Sequence, residues 1–412
     1  MDISLLLPIL VTAVGLFLLI RLKFFFIIHP IKTASEFIGA LKNRDARRSF
    51  FLALAGTLGV GNIFGVSAGI MIGGAGSLFW LFISSFFSMV IKYAETLLTF
   101  DLISPKGGMS SVISSAFTKV GKPLGRLYAL LTVALALFMG SAIQAEAVVD
   151  VASDTLFLNP FITAVILAIL FMPCIFGGVE KIEKITEITI PLTTIIYILM
   201  CFAVIFINFP RIPSVFFEIL SSAFSCRSAI GGISIIAIKE GFARGILSNE
   251  AGVGSSALAH SQAEGREPHI AGLFGISEVF FDTTLLCMLT GFAILTSVGD
   301  ISAFKTPMSL VTAAFTRTLG ELSGYILLAL IFAFAYSTVI CWYFYGSECS
   351  KLYFPRLKPI FAVAFPAFFF FSAAVSSEGL LYITDLIILF MSLLTLSSII
   401  KKEDRILKLS SK

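Results

Sequence analysis

The stretch GTLGVGNIFGV, Gly56–Val66, sets four glycines and an asparagine inside an apolar run, 51–72, long enough to cross a membrane. A spanning helix satisfies its own backbone, because hydrocarbon offers N–H and C=O groups no partner. Glycine lets a chain leave the helix at little steric cost, and a chain that does so at membrane depth must line a cavity enclosed by protein. The stretch therefore reads as a broken helix whose ends form a binding site. N–H groups at the start of the second half suit a carboxylate, and carbonyls at the end of the first half suit a small cation. A plainer reading makes Gly56, Gly59, Gly61 and Gly65 a close-packing face. We assign Gly65 to packing, and Gly59 and Gly61, beside Asn62, to the site.

The rest of the chain has the composition such a helix requires. Of 412 residues, 58% are apolar and 13% charged, with a mean hydropathy of +1.00; soluble domains carry about 25% charged residues. The expected class is an all-α polytopic membrane protein, since the alternating segments of about 10 residues that mark a membrane barrel do not occur. Net charge is 29 − 25 = +4, spread over loops, and implies membrane orientation rather than nucleic acid. The six cysteines are scattered without a CxxC pair and read as small core residues. Residues 1–23 show no basic leader or small-residue cleavage site, so a retained first helix is expected.

Hydropathy marks about eleven segments, at 3–20, 51–72, 77–100, 126–150, 158–176, 187–208, 229–262, 270–298, 322–346, 359–376 and 378–399. Every second loop is basic: Arg21 to Arg48 precede the second segment, Lys106 to Arg126 the fourth, and Lys181, Lys184, Arg266, Lys351, Arg356, Lys358, Lys401, Lys402 and Arg405 continue that side. Lysine and arginine mark the cytoplasmic face. The N-terminus is thus expected outside the cell membrane and the C-terminus in the cytoplasm.

Span 229–262 is interrupted by Lys239, Glu240, Arg244 and Glu250, and its centre, SNEAGVGSSALAH, repeats the Gly-Val-Gly-polar pattern at Gly252–Ser255. Two broken segments thus head two sets of five helices, 51–208 and 229–399. Five is odd, so the second set runs inverted in the membrane, as in secondary transporters whose site lies at the breaks. The expected organisation is an N-terminal helix and basic loop (1–50), the first repeat, an extracellular connection (209–228), the second repeat and a cytoplasmic tail (400–412).

ALAGTLGVGNIFGV, GGAGSLFW, KYAE and above all GFARGILSNEAGVGSSALAH resemble the alanine or glycine:cation symporter family of prokaryotes, with FFDTTLLCMLTGFAIL, FAFAYSTVICWYFYGSEC and LLYITDLIILFMSL in support. The resemblance implies a leucine-transporter-like core of five plus five inverted helices with broken first and sixth core helices. It also implies sodium-coupled symport of a small neutral amino acid, alanine or glycine, by a monomer in membrane lipid. The sequence departs from the family pattern at Val60, where a threonine is expected, at Met109, within an expected Gly-Gly-Pro-Met stretch, and at Leu394-Thr395, where Pro-Asn is expected. Substrate identity is where these departures bear.

By the same resemblance, Gln144 faces the substrate carboxylate; the residue alone equally permits a helix–helix hydrogen bond, since a mid-membrane amide needs some partner. Asn249, Ala251 and Gly252 of the second break join Gly59, Gly61 and Asn62 as expected substrate contacts, with Tyr382 as a weaker candidate beside Asp385. Ser337 and Thr338 are adjacent hydroxyls that either bond their own helix or, as the resemblance implies, hold Na+ with the carbonyls of Ala55 and Leu58. Glu250, an intramembrane carboxylate, has a direct role or is neutralised by Arg244, six residues upstream. Lys92 and Glu95, three apart, read as a snorkelling pair, and Glu146 and Asp150 as solvated or paired. An enzyme is disfavoured, because His29, His260 and His269 form no metal-ligand spacing and no P-loop occurs. A cation-coupled transporter of another small solute, or a channel or non-transporting sensor on the same scaffold, stays open.

Overall fold

A computed structural model describes residues 3–102, 107–156, 158–175, 178–224, 232–262, 267–374 and 378–410, which are helical with short connections and form no strand. In chain order the helices used below are α1 (Ile3–Arg21), α2 (Pro30–Ala40), α3 (Arg44–Thr57), α4 (Gly61–Gly73), α5 (Gly76–Phe100), α6 (Met109–Ala116), α7 (Gly121–Ser153), α8 (Pro160–Ile175), α9 (Gly178–Ile207), α10 (Ile212–Ala223), α11 (Gly232–Asn249), α12 (Pro268–Ser297), α13 (Pro307–Leu319), α14 (Leu322–Tyr353), α15 (Lys358–Ala374), α16 (Glu378–Lys401) and α17 (Glu403–Ser410). Among the described residues six helices are long and apolar enough to span a membrane, and α3 with α4, bent by 48° at the break, makes a seventh; α1 and α15 are apolar but shorter.

The break is where the glycines predicted it, but α3 starts earlier than the apolar run. Asn43 caps it, its Oδ1 accepting from the Ala46 N–H at 3.0 Å, so Arg44, Arg47 and Arg48 lie within the helix rather than before it. Their charge is answered from α9: Arg47 and Arg48 close on the two oxygens of Glu187 at 2.9 and 3.0 Å. Helix α13, absent from the hydropathy reading because it is amphipathic, is fixed by a reciprocal capping box between Thr306 and Ser309 and buries Leu310, Val311, Ala314 and Phe315.

The core is organised around α5, which α11 and α12 flank through small residues. A Cβ on Gly241 of α11 would stand 2.5 Å from the Ser77 carbonyl, and one on Gly275 of α12 would stand 2.6 Å from the Lys92 carbonyl. Only glycine permits such approach, and close backbones are how helices gain packing where lipid removes the hydrophobic drive. Helix α14 lies against α3 and α7 and buries Trp342, Tyr345 and Phe334.

Three of these helices contain one widened, π-type turn: Gly61–Gly65 opens α4, Phe138–Ile143 lies within α7, and Phe280–Cys287 within α12. Such turns add a residue to one helical turn, redirect side chains and concentrate at functional sites. They converge on the first break.

Candidate functional site

Between Thr57 and Gly61 the chain is not helical, and its polar groups are shared out among three other elements. The Gly59 N–H donates to Asn62 Oδ1 (3.2 Å) and the Val60 N–H to Gln144 Oε1 of α7 (3.3 Å). Asn62 Nδ2 in turn reaches Asp282 Oδ1 (2.6 Å) in the widened turn of α12 and Ser248 Oγ (3.0 Å) at the end of α11. Ser248 and Thr283 both donate to Asp282 Oδ2, at 2.8 and 2.6 Å, so that carboxylate ties the two broken helices together. Asp282 carries this junction and was overlooked in the sequence, although it stands within FFDTTLL; an acid flanked by hydroxyls in an apolar run was the available signal.

On the other side of the break, α14 meets the carbonyl end of α3. Thr338 Oγ1 lies 3.0 Å from the Ala55 carbonyl oxygen and 3.4 Å from that of Leu58, and Cys341, one turn on, donates to the Leu52 carbonyl. Ser337 instead donates to Ala333 within its own helix, at 3.0 Å. Both hydroxyls meet their own helix, Ser337 at Ala333 and Thr338 at Phe334, each at 3.0 Å, but Thr338 also reaches across to Ala55, 283 residues away.

A cavity of about 40 Å³ lies against the break. Gly59, Gly61, Gln144 and Thr338 line it, as do Phe64, Met139, Ile143, Leu247, Ser248 and Glu250. Gly65 lines it too, and a Cβ there would meet nothing within 4 Å, so its assignment to close packing is corrected: the bend turns that face toward the cavity. Asn62 is buried behind the cavity wall, in the polar junction just described. Tyr382 lies outside the residues whose side chains are described.

The second break is sharper. Glu250, Gly252 and Gly254 all have positive φ, of 55, 87 and 81°. Its polar groups are used inside the protein: Asn249 Nδ2 donates to Thr283, Ala251 N–H to Asn249 Oδ1, and Gly252 N–H to Glu95 Oε1 at 2.8 Å. Asn249, Ala251 and Gly252 therefore hold the break in shape, while Leu247, Ser248 and Glu250 face the cavity. One alternative left open by the sequence is decided here and one pairing is corrected. Arg244 closes on Glu240 at 2.9 Å, one turn away on its own helix, and Glu250 accepts from Ser255. Lys92 does not snorkel and is not bonded to Glu95; it is wholly buried on Glu278 at 3.0 Å, because α12 brings that acid across from α5.

The model of the sodium:alanine symporter family matches residues 2–410. The chain belongs to that family. It is 32% identical over 362 residues to the sodium/alanine symporter AgcS of Methanococcus maripaludis, covering 83% of this chain and 79% of that one. It is 30% identical over 361 residues to the probable sodium/glutamine symporter GlnT of Bacillus subtilis, covering 83% and 73%. Among solved structures, MhsT in complex with L-phenylalanine superposes with a TM-score of 0.62 at 16% identity, over 90% of this chain and 92% of that one, a likeness of fold. The fold is thus the leucine-transporter-like one that the resemblance implied.

Within the family framework, the three departures in sequence all stand at the breaks. Val60 gives its N–H to Gln144. Thr395 donates to the Val253 carbonyl at 3.1 Å, an oxygen that also takes the Tyr128 hydroxyl at 2.7 Å. Met109 is so close to Gly254 that a Cβ there would stand 2.6 Å from its side chain.

Proposed function

We propose that this protein is a sodium-coupled symporter of a small neutral amino acid, alanine or glycine, working by alternating access between two inverted five-helix repeats, 51–208 and 229–399. One observation carries the reading: a single hydroxyl, on Thr338, reaches the two carbonyls that end the first half of the broken helix, while the second half starts at the cavity wall. A hard cation takes oxygen ligands, and Ala55, Leu58 and Thr338, with Ser337 once it turns from its own helix, supply them. The amino acid's carboxylate lies on the N–H groups at Gly59–Gly61 and on Gln144, where the dipole of α4 favours negative charge. Apolar Phe64, Met139 and Ile143 leave room for a small side chain. Basic loops set the N-terminus outside and the C-terminus in the cytoplasm of a prokaryotic cell membrane, with the protein a monomer in lipid.

The test is binding of L-alanine, glycine and L-glutamine to the purified protein with sodium and with potassium in its place. Sodium should be required for tight binding of one of them; equal binding in both salts would refute coupling at this site. Two variants extend the test. Thr338→Val keeps the shape and removes the hydroxyl, and should raise the sodium concentration for half-maximal binding about tenfold, the effect of about 1.4 kcal/mol; Ser337→Ala should raise it less, since that hydroxyl now serves its own helix. Gln144→Ala should weaken amino-acid binding by about 1.5–3 kcal/mol, the worth of a hydrogen bond to a charged group, with a smaller change in sodium affinity measured alone. Equal loss of both would assign Gln144 to holding the break instead.

A further inference from the structure

Behind the second break lies a group of ionisable side chains that the substrate and sodium sites do not use. Glu278 is fully supplied with donors: Lys92 at 3.0 Å on Oε1, and Ser256 at 3.1 Å and His260 Nε2 at 2.9 Å on Oε2. Lys92 and Glu278 answer each other's charge. Two more acids, Glu95 and Glu250, are as deeply buried, and both lie within electrostatic reach of the same lysine. Each has one oxygen bonded, Glu95 to the Gly252 N–H and Glu250 to the Ser255 hydroxyl. The other oxygen of each, Glu95 Oε2 and Glu250 Oε1, is buried without a hydrogen-bond partner. One ammonium against three carboxylates would leave two negative charges in the membrane interior, where an uncompensated ion costs several kcal/mol and neutralises instead.

Glu250 is further distinguished by its backbone. It ends α11 in the left-handed region, with φ 55°, at a position that glycine ordinarily fills. A bulky residue there is strained, and such strain points to a role for the side chain. Of the three acids, Glu250 is the one on the cavity wall. We propose that Glu250 is an exchangeable proton site: its carboxyl carries a proton in the arrangement described here and gives it up to the cavity as Glu250–COOH ⇌ Glu250–COO⁻ + H⁺. A metal ion is the poorer occupant, since it takes six or so oxygens, only two carboxyl oxygens here lack partners, and the Lys92 ammonium already supplies the cation.

The charges facing Glu250 decide when the proton leaves. Lys92 and Glu95 come from α5, Glu278 and Asp282 from α12, His260 from the turn after the break, and Arg244, paired with Glu240, from α11. Tyr128 of α7 and Cys341 and Tyr345 of α14 complete the surroundings. On the reading that the cavity takes an amino acid, the substrate's ammonium favours the ionised carboxyl, so alanine should expel the proton, and low pH should weaken alanine binding by linkage.

Infrared difference spectroscopy of the full chain in lipid, stepped through pH in sodium buffer, tests this directly. The parent should show the carbonyl stretch of a neutral carboxylic acid that fades as pH rises, and Glu250→Gln should lack it. No titrating acid band in the parent, or the same band in Glu250→Gln, overturns the proposal. Should that variant not fold, Glu250→Asp keeps an acid one methylene back, and an unmoved band there overturns it equally. L-Alanine should lower the parent's midpoint by about half a pH unit, a roughly threefold preference for the ionised form. A titrating Glu250 band that L-alanine, glycine and L-glutamine all leave unmoved would uphold the proton site and contradict the substrate reading instead.

Discussion

Gly59→Ala is expected to weaken both sodium and amino-acid binding by tenfold or more, an effect far beyond the size of one methyl group. The added Cβ would stand 2.8 Å from Thr338 Oγ1 and 3.2 Å from Gln144 Oε1, the two groups that hold the ends of the first break. Threonine on a helix has two χ1 rotamers open to it, and yielding to the other takes its hydroxyl from the Ala55 and Leu58 carbonyls. Losing one hydrogen bond to a charged group is worth about 1.5–3 kcal/mol, hence about tenfold or more. Gly65→Ala is the contrast, since its methyl meets nothing within 4 Å; its loss should be several times smaller. Equilibrium binding of both ligands to the two variants checks this, and equal losses would mean that the glycines act through helix propensity rather than through the break.

The largest effect on stability is expected from Lys92→Met. It removes the lysine on which Glu278 closes, and breaking a buried pair from one side costs about 3–5 kcal/mol. Lys92→Met combined with Glu278→Gln should recover a good part of that loss, because replacing a buried pair whole is often close to neutral. Thermal unfolding in the same detergent measures it; a double variant as unstable as the single one would show that the pair is not the source.

How far the sequence goes is clear from these residues. Both breaks were legible because glycine next to a polar residue in a membrane run has few other physical meanings, and Thr338 opposite Ala55 and Leu58 followed from the family resemblance. Asp282 was not, because a widened turn has no composition of its own: GNIFG, FMGSAI and FFDTTLLC share no pattern, yet each adds a residue to a turn, and the first and last meet through Asn62 and Asp282. Ion pairing was misread for a related reason. Spacing says which residues share a helix face, so Lys92–Glu95 looked like a pair; it does not say that α12 sets Glu278 opposite Lys92, or that Arg244 has Glu240 nearer than Glu250. Gly65 was misassigned because the 48° bend, which sequence cannot give, decides the direction of that face.

Coupling of amino-acid transport to sodium is tested most directly by uptake of L-alanine into proteoliposomes containing the protein, with a sodium gradient inward, with sodium equal on both sides, and with potassium alone. One sodium ion entering down a tenfold gradient supplies about 1.4 kcal/mol, and a membrane potential of about 100 mV adds about 2.3. One-to-one symport therefore supports accumulation of up to a few hundredfold, which should collapse when the gradient is dissipated and be reached more slowly in Gly59→Ala. L-Alanine that only equilibrates across the membrane, at a rate indifferent to the sodium gradient, would contradict symport and leave a channel on this scaffold.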